Sequence, residues 1–304
     1  MRQHRNPSRV PMGAALQTFF ARSLSTITLW GVCAATMYWA YEPGLWLLMG
    51  ALIFGGLSEF YRMLASAGLP HFRKTGLVLG LVLTGGALAS GARHGADAAF
   101  VFESATLIVG SLLAFSVPIF RDTPATVPVA AIGYTLLGLV YIPYLGTHTI
   151  NLVYLTPRTA DGHLTGHLYL LYLAVVTKMS DCGAYLTGSL IGKHPMIPRI
   201  SPKKTWEGFA GALAHSTLAS WLLSRLFAEQ LSLLGSTGHV LLLGLTIGFV
   251  AVVGDLAESL IKRSTGIKDS GRFLPGIGGA LDLIDSLLFT APLLFLYLRY
   301  APSF

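Results

Sequence analysis

The sequence predicts an all-α, polytopic integral membrane protein with about nine transmembrane helices, and three observations carry that prediction. Hydrophobic residues make up 53% of the 304-residue chain, and charged residues only 12%. The mean hydropathy of +0.62 lies far above that of water-soluble globular chains. Apolar runs of about twenty residues recur from end to end, and each can cross a hydrocarbon core of roughly 30 Å as a helix. A soluble fold would need many buried helices with hardly any polar face, which disfavours that class.

In chain order, helices are expected near 24–40, 43–61, 76–92, 98–119, 126–146, 167–189, 207–228, 237–259 and 280–299. The first follows "MRQHRNPSRVPMGAALQTFFARS", a basic segment without the compact apolar core and cleavage site of a removed signal peptide. Glu59 and Glu103 fall within the second and fourth spans, with no partner evident from the sequence. The third, "GLVLGLVLTGGALASG", is rich in small residues that let backbones approach closely in a bilayer. The sixth carries Lys178 and Asp181 three residues apart. That spacing reads as an intramembrane ion pair, although charges inside spans also carry a functional presumption. The eighth ends in "VGDLAESLIKR", and the ninth begins with Asp282 and Asp285 after a glycine cluster.

No repeat of fixed period stands out, and no linker is long or polar enough to separate two domains. One membrane domain over 1–304 is expected. Its helices up to about residue 165 have no assigned role, and the candidate chemistry lies from about 166 onward. Cys33 and Cys182 fall in apolar spans and read as small packing residues, and the histidines show no metal-ligand spacing.

Loop charges set the orientation. Arg2, Arg5, Arg9, Arg62, Arg73 and Lys74 fall on one side with the cations of the 193–204 and 262–272 loops. Only Arg93, Arg158, Arg225 and Arg299 lie at or near the other. The asymmetry puts the N-terminus and the basic loops in the cytoplasm and the C-terminus outside. The net charge of +7 is then concentrated where anionic headgroups and nucleotides are found. Split among short loops, these cations do not make a nucleic-acid surface, and no nucleic-acid partner is expected.

The acids at span ends are the strongest local signal. Asp282 and Asp285 share one helix face, with Cβ atoms about 5–6 Å apart. Asp255, Glu258 and Ser259 fall on neighbouring turns of one face in the preceding span. Facing lipid, each acid would cost roughly 2.5–3.5 kcal/mol, so the group should face the protein interior. Packed carboxylates repel, and a divalent cation reverses that repulsion. Oxygen donors without His or Cys nearby favour Mg²⁺ over zinc. The competing reading pairs these acids with Lys262, Arg263 and Lys268 as interfacial salt bridges.

Two further stretches fit phosphate chemistry. "PGIGGALD" sets Gly276, Gly278 and Gly279 just before a helix start, where free N–H groups and the dipole favour an anion. Taken alone, the same glycines simply break a helix before a span. The loop "GKHPMIPRISPKKTWEG" offers Ser201, Lys203, Lys204 and Thr205, hydroxyls and ammonium groups suited to a polyphosphate. It reads equally as a positive-inside loop with Trp206 anchored at the interface.

At these residues the chain resembles the phosphatidate cytidylyltransferases, or CDP-diacylglycerol synthases. The resemblance rests on "SDCGAYLTGSLIGKHPMIPRISPKKTWEGFAG" and "GDLAESLIKRSTGIKDSGRFLPGIGGALDLIDS", and covers about residues 178–290. The family signature is matched by Ser259, Lys262, Arg263, Lys268, Asp269, Pro275, Gly276, Gly278, Gly279, Asp282 and Asp285. Ile277 replaces its His, Ala280 a larger apolar residue and Leu283 its Arg, while every signature acid is kept. Leu283 lies about 100° round the helix from Asp282 and is expected to pack rather than face a metal.

The resemblance implies transfer of CMP from CTP to phosphatidate, giving CDP-diacylglycerol and pyrophosphate. It implies Mg²⁺ on Asp255, Asp282 and Asp285, with room for a second cation, and a catalytic Lys268 beside them. Substrate would be held by Ser201, Lys203, Lys204, Thr205, Glu207, Lys262, Arg263, Asp269, Gly278 and Gly279. The expected setting is a bacterial cytoplasmic membrane with the site facing the cytoplasm, and a homodimer is compatible with it. The rival readings are a CTP-dependent lipid kinase, a cytidylyltransferase for another lipid phosphate, a non-catalytic relative and an ion-coupled transporter. The acids and cations collect at one face of the C-terminal half rather than in two broken midplane repeats, which disfavours the transporter.

Overall fold

Helix α1 (Glu42–Ser66) carries Pro43 in its first turn, where the missing N–H costs nothing. It is followed by α2 (Arg73–His94) and by α3 (Ala96–Ser116), which tightens into a 3₁₀ turn at Val117–Phe120. Next, α4 (Pro128–Leu139) widens into a π-helical turn at Val140–Tyr144, where Pro143 supplies no N–H to the ladder, and continues as α5 (Leu145–Val153). The second half comprises α6 (His167–Ile191), α7 (Trp206–Leu226), α8 (Thr237–Ser264) and α9 (Ala280–Tyr300). A short antiparallel hairpin, β1 (Pro195–Ile197) and β2 (Ser201–Thr205), joins α6 to α7, with Pro195 opposite Thr205. This computed structural model describes residues 31–32, 35–36, 38–39, 41–120, 127–267, 271 and 278–300.

Six helical stretches among the described residues are long and apolar enough to cross a membrane: Glu42–Ser66, Arg73–His94, Ala96–Phe120, Pro128–Val153, Thr237–Ser264 and Ala280–Tyr300. The protein is therefore a largely helical membrane protein, but the expected count of about nine is not reached by this measure. Two of the missing spans, α6 and α7, have the length, at 25 and 21 residues, but carry more polar side chains. The remaining one, 24–40, falls largely outside the described residues.

At the centre of the bundle, α9 packs against α1, α5, α6 and α8. One apolar cluster gathers Tyr169, Tyr172, Leu243, Leu294 and Phe295, and a second gathers Leu57, Phe60, Tyr61, Ile142, Leu281 and Ile284. By contrast, Val78, Leu81, Ile108, Leu112 and Phe115 lie exposed on α2 and α3, a surface suited to lipid tails. At one end of the bundle Arg158 pairs with Glu42 and Arg299 with Asp97, each at 2.8 Å. The hairpin, the end of α8 and the start of α9 lie at the other end, where the basic loops were expected to gather.

Candidate active site

The last turns of α8 carry Asp255, Glu258 and Lys262 at helical spacing, and the first turns of α9 carry Asp282 and Asp285. Gly254 brings the two helices together at this level. A Cβ placed there would lie 2.9 Å from the Asp285 carbonyl oxygen and 3.0 Å from Ser286 Cα. The result is a cluster in which carboxylate oxygens of Asp255, Glu258 and Asp285 all lie within 4.8 Å of one another. Glu258 is only 3% exposed and Asp285 7%. Asp285 Oδ1 accepts the N–H of Ser286 at 2.6 Å, whereas Glu258 Oε1 is buried with no hydrogen-bond donor. Three carboxylate oxygens this close offer a donor set of the kind that holds a hard metal ion. Gly254→Val should force the helices apart, costing about 1–3 kcal/mol of overpacking strain. Its thermal midpoint and Mg²⁺ response should fall together; a normal Mg²⁺ response would show that the acids do not depend on this contact.

Asp282 is held differently from its expected partners. Its Oδ2 accepts the N–H of Gly279 at 2.8 Å, and its Oδ1 forms an ion pair with Lys262. Lys262 also reaches Glu258 Oε2 at 2.8 Å. The expected trio of Asp255, Asp282 and Asp285 thus appears as a tight cluster in which Glu258 stands with Asp255 and Asp285, while Asp282 is linked to it through Lys262. The i, i+3 spacing of Glu258 from Asp255 was the sequence signal for this addition. At Gly278, φ is +124°, and a Cβ there would crowd Asp282 Oδ2. The Gly279 amide, expected to point outward at a phosphate, instead donates to Asp282.

Beside the cluster is a cleft of about 240 Å³ between α6, the hairpin, α7 and α8. Asp181, Tyr185, Lys203, Lys204, Phe209 and Asp255 are among the residues lining it. Lys204 Nζ lies 2.7 Å from Asp255 Oδ2, which ties the hairpin to the acid cluster. Lys203 is exposed at the cleft. Arg263 reaches back to the Ile200 carbonyl at 3.4 Å, holding the hairpin tip to the end of α8. Ser201 opens β2 and does not line the cleft.

Two expected substrate ligands have structural tasks here. Thr205 lines the cleft, yet its hydroxyl oxygen accepts the Gly208 N–H at 3.1 Å and caps α7. Glu207 accepts from His194 Nδ1 at 2.6 Å and from the N–H groups of Lys193 and His194 at 3.2 and 3.3 Å, closing the loop before β1. Lys268 and Asp269, with Arg272 and Ile277, lie outside the described residues.

Residues noted in the sequence without a role gain partners. Lys178 pairs with Asp181 at 3.1 Å, as the spacing suggested, and also feels the charges of Asp285 and Asp255. That extends the site to α6. Glu103 accepts from Asn151 Nδ2 at 3.0 Å, far from the cleft in sequence. Leu283 packs against the apolar cluster around Leu57 and Ile284, as its helical position implied.

A sequence model described as the cytidylyltransferase family matches residues 20–301, nearly the whole chain. The chain belongs to that family. It is 35% identical over 274 residues to a phosphatidate cytidylyltransferase of Synechocystis, covering 81% of this chain and 85% of the relative. To the phosphatidate cytidylyltransferase of Mycobacterium leprae it is 40% identical over 182 residues, 60% of this chain and 51% of the relative. An uncharacterized protein, YnbB, of Escherichia coli is 38% identical over 163 residues, 54% and 52% of the two chains. Two of these three matches span about half of the relative's length.

Proposed function

We propose that the protein is a phosphatidate cytidylyltransferase, transferring CMP from CTP to phosphatidate to give CDP-diacylglycerol and pyrophosphate. The observation that carries this reading is a lysine-lined cleft joined to a buried cluster of acids through the contact between Lys204 and Asp255. A phosphatidate oxygen would form a new bond to the α-phosphorus of CTP as the bond to the pyrophosphate oxygen breaks. The phosphate monoester is already anionic near neutral pH, so no general base is required.

Positioning and charge balance are then the protein's main tasks. Lys203 and Lys204 would hold anionic phosphate in the cleft, and Lys178 and Asp181 would shape its α6 wall. Lys262 keeps Glu258 and Asp282 in register, so that the acid face of α8 meets that of α9. The donor set suits Mg²⁺, since it contains oxygen alone and includes the buried, donorless Glu258 Oε1. Asp255, Glu258 and Asp285 would hold the ion, with Asp282 beside them. Bound there, Mg²⁺ supplies charge neutralisation at the reacting phosphates. Lys268 and Asp269 keep the roles that family resemblance implies for them.

We read α6 and α7 as spans too, because both pack along α8, which is long and apolar enough to cross, and glycines of α6, α7 and α8 let these three helices approach closely. The basic loops support a cytoplasmic site in a bacterial inner membrane. Purified protein in lipid nanodiscs, incubated with labelled CTP and phosphatidate, should form CDP-diacylglycerol only with Mg²⁺ present. Phosphorylated lipid in place of a CDP-lipid would favour the kinase reading. Lys203→Gln with Lys204→Gln should raise the apparent KM for CTP or phosphatidate roughly tenfold or more, with the defect growing as salt is added. Unchanged kinetics together with inverted insertion would reduce the loop to a topology signal.

A further inference from the structure

We propose that Glu59, on α1, is a positioning residue for the acids of α9, an inference that rests on the reaction proposed above. Its side chain is buried, with the residue only 1% exposed, and its Oε2 accepts the N–H of Leu281 at 2.9 Å. Leu281 is the second residue of α9, directly before Asp282 and one turn before Asp285. The first turn of any helix has N–H groups without intrahelical acceptors. Gly279, immediately before α9, has no side chain to serve as a local cap, and its own N–H is taken by Asp282. The cap is imported from a helix more than two hundred residues earlier in the chain. A carboxylate also suits the positive end of the helix dipole.

Neighbouring contacts hold this carboxylate in place. Gly56, one turn before Glu59, lets α1 lie against the start of α9; a Cβ there would meet Ile284 Cδ1 at 3.3 Å and Leu281 Cα at 3.7 Å. Gly271, in the segment leading to α9, abuts the same carboxylate closely enough that a Cβ would overlap Glu59 Oε1. Arg62 Nη2 lies 3.6 Å from Oε1 on the more exposed side. A contact made only for packing would not bury an acid, since an apolar side chain does that without desolvating a charge. Glu59 thereby gives the N-terminal half of the chain a direct hold on the residues of the proposed reaction.

The test uses the full-length protein in nanodiscs, with Glu59→Ala and Glu59→Gln. Displacement of reacting groups by about 1 Å can cost as much as a hundredfold, so Glu59→Ala should lower kcat by roughly ten- to a hundredfold. Its KM for CTP should stay within about twofold, because the lysines of the cleft are untouched. Without Mg²⁺ or substrate, backbone amides in peptides spanning 279–284 should exchange hydrogen faster in Glu59→Ala than in the natural protein. Glu59→Gln keeps an oxygen that can accept the Leu281 N–H, and should restore both turnover and slow exchange. Natural turnover and exchange in Glu59→Ala would overturn the proposal, as would a Gln variant as impaired as the Ala one. If the Ala variant does not accumulate, the Gln variant decides, and fast exchange at the start of α9 counts against the proposal. Should the natural protein make no CDP-diacylglycerol, the reaction assignment fails while the exchange data still judge the contact.

Discussion

Asp255→Asn and Asp285→Asn should each lower turnover by roughly a hundred- to a thousandfold while leaving the fold intact. Both substitutions preserve shape and remove one negative charge from a cluster whose oxygens lie within 4.8 Å of one another. In the absence of metal, Asp285→Asn relieves repulsion between like charges, so its thermal midpoint should hold or rise, whereas Asp255→Asn also gives up the ion pair with Lys204 and should fall slightly. A ligand that binds only the folded state raises the midpoint, and this rise with Mg²⁺ should shrink sharply in both variants. In Asp285→Asn turnover and metal-free stability therefore move in opposite senses, which general misfolding would not produce. Near-natural turnover with an unaltered Mg²⁺ shift would remove both acids from the site.

The second large effect is on stability. Lys262 is the shared partner of Glu258 and Asp282, and its side chain is mostly buried between them. Lys262→Met removes the one described cation joining these two acids while filling a similar volume. Stranding a buried charge in this way costs about 3–5 kcal/mol, which should appear as a marked fall in the thermal midpoint of the solubilised protein. Adding Glu258→Gln removes one stranded charge and should recover much of the loss. A double variant no more stable than Lys262→Met would show that Lys262 acts through other contacts. Mg²⁺ should partly rescue the single variant, because the ion restores positive charge to the same acids.

Much of this arrangement is legible in the sequence alone. Eight expected helices at 43–299 correspond to segments of the described structure, because apolar runs bounded by prolines, glycines and charges report local preference directly. The pairing of Lys178 with Asp181 followed from i, i+3 spacing, which one helix fixes by itself. The packing of Leu283 also followed from its angle round the helix.

Local sequence could not settle the roles of Thr205 and Glu207. A hydroxyl in a basic loop suits phosphate, yet the same group caps a helix, and a nearby acid closes a turn, so one pattern of residues allows either use.

On its own, the sequence determined the membrane class, the helical segments, the faces on which Asp255, Glu258, Asp282 and Asp285 lie, and the side on which the cations gather. These depend on composition and on the period of a single helix. Only the tertiary structure decided that Glu258 stands with Asp255 and Asp285, that Lys262 holds Asp282, that Lys204 meets Asp255, and that Glu59 caps α9. Each of these contacts joins groups brought together by packing, and two of them rely on Gly254 and Gly56, which let α8 and α1 lie close against α9. The distance between two helices depends on every side chain between them, and no periodicity within either helix encodes it.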